Sequence, residues 1–105
     1  GNAGSFFKNP VILKKHYQSL QAAFDEVPGY EVSTDEIKVP AAWLIEKAGW
    51  KGYKNGEIGV HSKQPLVLVN FGGGQGQDIK NLSIEIQNSV HKKFGIALDA
   101  EVNII

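Results

Sequence analysis

The 105 residues contain no cysteine, no methionine and no arginine. Without cysteine the chain can build neither a disulfide framework nor a thiolate metal site, and a cytoplasmic location is the natural expectation. Without methionine, even at position 1, the chain reads as a piece excised from a longer polypeptide. Without arginine its eleven cations are all lysine, and eleven acidic residues bring the formal net charge to zero. A nucleic-acid partner calls for a basic excess and for guanidinium forks on phosphate or guanine, so none is expected. Also missing is any apolar run approaching the roughly 20 residues of a membrane helix, or a basic-then-apolar leader at the start. The three histidines, His16, His61 and His91, lack ligand spacing, so no metal is expected and surface or capping roles suit them.

What is present is an ordinary globular composition, 42% hydrophobic and 21% charged, enough for one domain over residues 1–105 with one modest core. The chain opens on Gly-Asn-Ala-Gly-Ser-Phe-Phe-Lys-Asn-Pro, Gly1 to Pro10. This reads as a strand of small residues around one hydroxyl, Ser5, anchored by two aromatics and ended by Pro10.

Residues 12–26 then read as an amphipathic helix, with Leu13, Tyr17, Leu20, Phe24 and Val27 at spacings of four and three on one face. Lys14, Lys15, Gln18 and Asp25 fall on the outer side, and Pro28-Gly29 stops the helix. Tyr30 to Lys38 reads as a loop with a short extended piece. Pro40 opens a second, short helix whose apolar face is Ala41, Leu44, Ile45 and Ala48, and Gly49 ends it. Gly52 to Gly59 is a turn-bearing connection into a strand near Ile58 to His61. Leu66 to Val69 is a continuous apolar run expected to be a central, two-face-buried strand. A third helix over 78–94 takes Asp78 as N-cap and buries Ile79, Leu82, Ile86, Val90 and Phe94. His91, Lys92 and Lys93 suit its C-terminal dipole, and Gly95 ends it. Val102 to Ile105 closes the chain as a strand. The expected class is α+β, a small sheet in the order strand, helix, helix, strand, strand, helix, strand.

Strand, Gly72-Gly-Gly-Gln-Gly76 and long helix together outline a phosphate-binding loop, which makes a stand-alone nucleotide-binding module the alternative reading. The details disagree. A P-loop ends in Gly-Lys-Ser/Thr, whereas Gln77 and Asp78 follow Gly76. The dinucleotide fingerprint wants glycine where Gln77 stands, and Asp78 would face the phosphate with like charge. A flexible turn with a capping carboxylate is the preferred reading.

The remaining polar groups are Ser5, Lys8, Asn9, Tyr30, Lys51, Gln64 and Glu101. Each alone has a bland reading: a small strand residue, a solvated lysine, a loop anchor, a polar residue before Pro65, a carboxylate facing water. Composition and spacing reach no further than an α+β domain with a suggestive first strand.

The opening decapeptide, however, closely resembles the signature of the UDP-N-acetylenolpyruvoylglucosamine reductase (MurB) family. The resemblance continues through Lys38-Val-Pro-Ala-Ala-Trp-Leu-Ile45, Lys51-Gly52, Gly59-Val-His-Ser-Lys-Gln-Pro-Leu-Val-Leu-Val-Asn70, Lys93-Phe-Gly-Ile96 and Leu98-Asp-Ala-Glu-Val-Asn-Ile-Ile105. The 11–39 segment, with its extra helix and Tyr30 loop, resembles the longer of two subtypes. The resemblance covers only the C-terminal, substrate-binding domain and implies that an FAD-binding portion of the same polypeptide is missing here.

It implies that NADPH reduces FAD, and that reduced flavin passes hydride to UDP-N-acetylglucosamine enolpyruvate, giving UDP-N-acetylmuramate for peptidoglycan. By the same resemblance Ser5 is the proton donor to C2 after hydride addition at C3, and Glu101 attends the enolpyruvyl group. Glu101 would serve as a protonated acid or hydrogen-bond partner, since an ionised carboxylate repels an enolate. Asn9, Lys51 and Gln64 match positions contacting the UDP part, Lys51 as a point charge for the diphosphate. Tyr30 resembles the loop tyrosine that closes over the nucleotide. Neither FAD nor NADPH is expected to bind this chain, which would be inactive alone. The family's flavin-side Arg, Tyr and Lys have no counterpart here, and the Gly72–Gly76 turn has more glycine than the pattern.

Overall fold

A computed structural model describes residues 3–56, 58–61, 63, 65, 67–70 and 76–104, with the backbone alone described at 3–6, 70, 76 and 101–104. The first strand, β1, spans Ala3–Phe7. Lys8-Asn9-Pro10 turns the chain into β2 (Val11–Leu13), from which α1 (Lys14–Ala23) follows directly. Then come β3 (Tyr30–Glu31), β4 (Glu36–Lys38) and α2 (Ala41–Lys47). Strands β5 (Lys54–Asn55), β6 (Ile58–Val60) and β7 (Val67–Asn70) lead to α3 (Gly76–Phe94) and β8 (Ala100–Ile104).

The α+β class holds, with the strands divided between a five-stranded sheet, β5-β6-β7-β1-β8, and a three-stranded sheet, β2-β4-β3. Both are antiparallel. As expected of the Leu66–Val69 run, β7 is the middle strand of the larger sheet. Leu68 is fully buried, Val67 and Val69 are half-buried, and Leu66 lies outside the described residues. Helix α3 packs on the sheet through Ile79, Leu82, Ile86, Val90 and Phe94, all buried as the spacing predicts. Burial of five such side chains contributes about 1.5–3 kcal/mol each, which makes this helix the main stabiliser of the core.

Four expectations shift. The first helix starts at Lys14 and ends at Ala23, not 12 and 26. Leu13 sits on β2 opposite Glu36 and is 63% exposed, so strand pairing removes it from the helical face. The chain leaves α1 through Glu26, whose φ of 52° reverses direction before Pro28 is reached. Asp78 lies in the first turn of α3 rather than at the N-cap, because the helix begins at Gly76; there it still suits the positive end of the dipole.

The smaller, three-stranded sheet also exceeds what periodicity shows. Strands of two or three residues are too short to display an alternation, so Tyr30 to Lys38 reads as a loop although it carries both β3 and β4. In the Gly52–Gly59 connection Asn55 pairs with Ile58, so β5 and β6 form a hairpin whose turn opens on Gly56 at φ 62°. A glycine at the first position of a two-residue turn is a hairpin signal.

Candidate active site

Strand β1 lies between β7 and β8, and its register decides which candidate positions meet. Ser5 pairs with Leu68 on one side and Val102 on the other; Phe6 pairs with Val67 and Glu101. The backbones of Ser5 and Glu101 are therefore on neighbouring strands in adjacent rows of the ladder, although 96 positions apart in sequence. The row of position 5 continues through Leu68 to Val60, both buried; the row of position 101 continues to half-buried Val67. What the ladder unites is backbone, since adjacent rows of a pleat alternate between faces.

Lys8-Asn9-Pro10 is a structural hub. The Lys8 amide donates to the Asp99 carbonyl at 2.9 Å, and the Pro10 carbonyl accepts from Val39 at 2.9 Å. Between them, Asn9 Oδ1 accepts the Ala41 amide at 2.8 Å, satisfying one of the free donors at the start of α2. The turn thereby fixes β1, β8 and α2 to one another. Asn9 is otherwise exposed.

The other candidates lie apart from that hub. Lys51 follows α2 in an exposed turn, its Nζ 3.1 Å from Glu46 Oε1. With the two side chains 47% and 43% exposed, the pair adds little to stability. Tyr30 is 64% exposed on β3, in the smaller sheet. Gln64 lies outside the described residues, as do positions 71–75 of the glycine-rich turn.

Two histidines serve structure. His16 Nε2 is 2.9 Å from the Phe94 carbonyl at the end of α3, a contact in which the ring nitrogen donates. His61 Nδ1 accepts the Lys63 amide at 3.0 Å. Among the described residues no group of three or more His, Cys, Asp or Glu could hold a metal, and no helix is long and apolar enough to cross a membrane. A feature that no periodicity would reveal is the indole of Trp50. Its Nε1 is buried without a hydrogen-bond partner while its ring meets Tyr53 edge-on at 4.9 Å.

A cleft lies apart from these positions, lined by Phe24, Asp25, Trp43, Lys47 and Lys93, with a volume of about 220 Å³. Pockets for drug-sized ligands run to about 300–1,000 Å³, so this one does not fit a flavin dinucleotide. Its lysines occupy the last turns of α2 and α3, where cations offset the helix dipoles.

Fold and register together define a small α+β domain that sets a hydroxyl position and a carboxylate position on neighbouring antiparallel strands. The family described as UDP-N-acetylenolpyruvoylglucosamine reductase, C-terminal domain, matches residues 1–105, and the chain belongs to it. The UDP-N-acetylenolpyruvoylglucosamine reductase of Flavobacterium johnsoniae is 54% identical over 105 residues, which are 100% of this chain and 31% of that protein. The reductase of Bacteroides fragilis is 50% identical over 105 residues, 100% of this chain and 32% of its own length. That of Pseudomonas aeruginosa is 45% identical over 104 residues, 99% of this chain and 31% of its own. The chain thus spans about a third of the length of these relatives.

Proposed function

We propose that this chain is the substrate-binding part of a flavin-dependent reductase that converts UDP-N-acetylglucosamine enolpyruvate to UDP-N-acetylmuramate, a peptidoglycan precursor, in the cytoplasm. The observation that carries the reading is the family match over all 105 residues.

Reducing a vinyl ether carboxylate needs a hydride at C3 and a proton at C2. In this reading FAD and NADPH belong to the part of the longer relatives that this chain does not cover, which would also supply the hydride. This chain's share is the proton and the grip on substrate. Ser5 gives its hydroxyl proton to C2, forming the C2–H bond, and is reprotonated from solvent through hydrogen-bonded groups. A hydroxyl is a weak acid, so the step depends on a shaped, water-poor site. Glu101 supports the charge growing on the substrate carboxylate by donating a hydrogen bond as the protonated acid.

Asn9, Lys51, Gln64 and Tyr30 take the UDP end. For Asn9 the reading has a structural consequence: its Oδ1 is engaged by Ala41, which leaves the Nδ2 amide to donate to the nucleotide. Lys51 would exchange Glu46 for the diphosphate, a low-cost exchange because the present pair is exposed.

The test is made in the longer reductase with this segment in place, following NADPH oxidation driven by the enolpyruvyl substrate. Ser5→Ala is expected to lower kcat by about 10²–10⁴-fold, the range for a lost general acid, with KM changed much less. An unchanged kcat with the same product would overturn the proton-donor assignment. Titrating this chain with UDP should shift amide resonances at Asn9 and Lys51. Shifts confined to 72–78 would favour the nucleotide-loop reading instead.

A further inference from the structure

The smaller sheet turns Ile12 and Ile37 to the core, with exposed Glu31 at the edge of that face, and leaves the other face open. Val11 and Tyr30 both pair with Lys38, and Leu13 pairs with Glu36, whose carbonyl accepts the Val32 amide at 3.0 Å. Alternation along the strands sends these six residues to one face and the intervening Ile12 and Ile37 to the other. Ile37 is buried at 6% and Ile12 is half-buried in the core. The outer six are all exposed, and four are large and apolar: Val11 at 44%, Leu13 at 63%, Tyr30 at 64% and Val32 at 48%. The six form two rows of three, Val11-Lys38-Tyr30 and Leu13-Glu36-Val32, so two apolar pairs flank a central charged pair on one sheet. Exposed apolar side chains gathered on one face mark an interaction surface more often than scattered single residues do.

The two rows are complementary to each other. Turning a second copy about a two-fold axis that lies parallel to the sheet, across the strands and between the rows, lays each row on the other. Lys38 then meets Glu36 of the second copy, Val11 meets Leu13, and Tyr30 meets Val32, each contact occurring twice. The other in-plane axis, along the strands, would set Lys38 against Lys38 and Glu36 against Glu36, so charge selects the first. Among the described residues Lys38 has no ion-pair partner, and the Glu36 carboxylate accepts only the Ser33 hydroxyl, at 3.1 Å. We propose that the outer face of the β2-β4-β3 sheet is a self-complementary docking surface on which two copies of this chain associate through Lys38–Glu36 pairs flanked by Val11–Leu13 and Tyr30–Val32 contacts. Six side chains fall well short of the roughly 800 Å² per partner of a stable interface, so the association is weak, with a dissociation constant in the micromolar to millimolar range. Tyr30 belongs to this face and to the nucleotide reading, so the two uses exclude each other at that residue. The association test is made without nucleotide and does not bear on the reductase reading.

Sedimentation equilibrium of the chain from about 10 µM to 1 mM should show a monomer–dimer equilibrium within the micromolar-to-millimolar window. Lys38→Glu should raise the dissociation constant at least about 10-fold by setting like charges together, and so should Glu36→Lys. The double variant, with both charges reversed, should return to within about 3-fold of the parent, because the pairing is restored in the opposite sense. Leu13→Asp should abolish association while keeping the monomer folded, since aspartate at the N-cap of α1 is a favoured cap. Circular dichroism confirms the fold of each variant. Monomer at every concentration, insensitivity to Leu13→Asp, or a double variant no better than the single ones would each overturn the proposal.

Discussion

At the scale of single residues, the turn after β1 carries two kinds of demand. Asn9 holds the first amide of α2, and a hydrogen bond of this type contributes about 0.5–1.5 kcal/mol. Asn9→Ala should therefore lower unfolding stability by about 1 kcal/mol, read as a shift in the urea midpoint with an unchanged slope. Asn9→Asp keeps the acceptor and should keep that stability while losing the amide donor that the nucleotide reading assigns to UDP. A variant as stable as the parent but weaker for UDP would separate the two roles; equal affinity would leave Asn9 purely structural. Gly29 offers a second test of close approach. A Cβ there would stand 2.6 Å from Tyr17 Cε1 and 2.7 Å from Ile37 Cγ2. Tyr17 cannot yield freely, because its hydroxyl donates to the Val27 carbonyl at 2.6 Å. Gly29→Ala should cost about 1–3 kcal/mol by overpacking, and a neutral midpoint would show that the ring moves aside.

At the scale of elements, α3 is the piece whose sequence and structure agree most closely. Its five apolar positions are buried, cations fill its last turn, and Gly95 ends it at φ 70° with its amide on the His91 carbonyl at 2.8 Å. His16 adds a further contact on the Phe94 carbonyl, so α1 helps terminate α3. Gly95→Ala should cost about 1–2 kcal/mol, the penalty of placing a Cβ in the left-handed region. Ile86→Ala, at a fully buried position, should cost about 2–5 kcal/mol. Both are checked by thermal or denaturant unfolding. Helix α1 is less self-sufficient. Two lysines open it against the dipole, no side chain caps it, and its Lys14 amide is held by the Asp35 carbonyl at 2.7 Å. Its start is thus decided by the turn before β4 and its end by the reversal at Glu26, which is why spacing alone overextends it at both ends.

At the scale of the whole molecule, the domain measures 45 × 23 × 21 Å, with a radius of gyration of 14.2 Å. A compact chain of this length would have a radius of gyration of about 13 Å. The elongation follows from two sheets that share one core instead of one sheet closing over it. The larger sheet is covered by α3, whereas the smaller has strands of two and three residues and an open outer face. Native-state hydrogen exchange should accordingly protect β1, β7 and α3 close to the global limit and β2, β3 and β4 less. Uniform protection would show that the two sheets open as a single unit.

Legible in the residues alone are the class, the apolar faces of the second and third helices, Tyr17 and Leu20 on the first, the central apolar strand and the family. Those properties depend on local periodicity, on glycine and proline chemistry, and on motifs read in order. Long-range packing alone settles that Glu101 returns beside the Ser5 strand, that Asn9 reaches across 32 positions to Ala41, and that Leu13 belongs to an exposed strand. Each of these is a pairing between distant segments. Backbone hydrogen bonds carry no residue code, and a strand of two or three residues is too short to display its period. The partner of such a segment is therefore settled only when the whole chain packs.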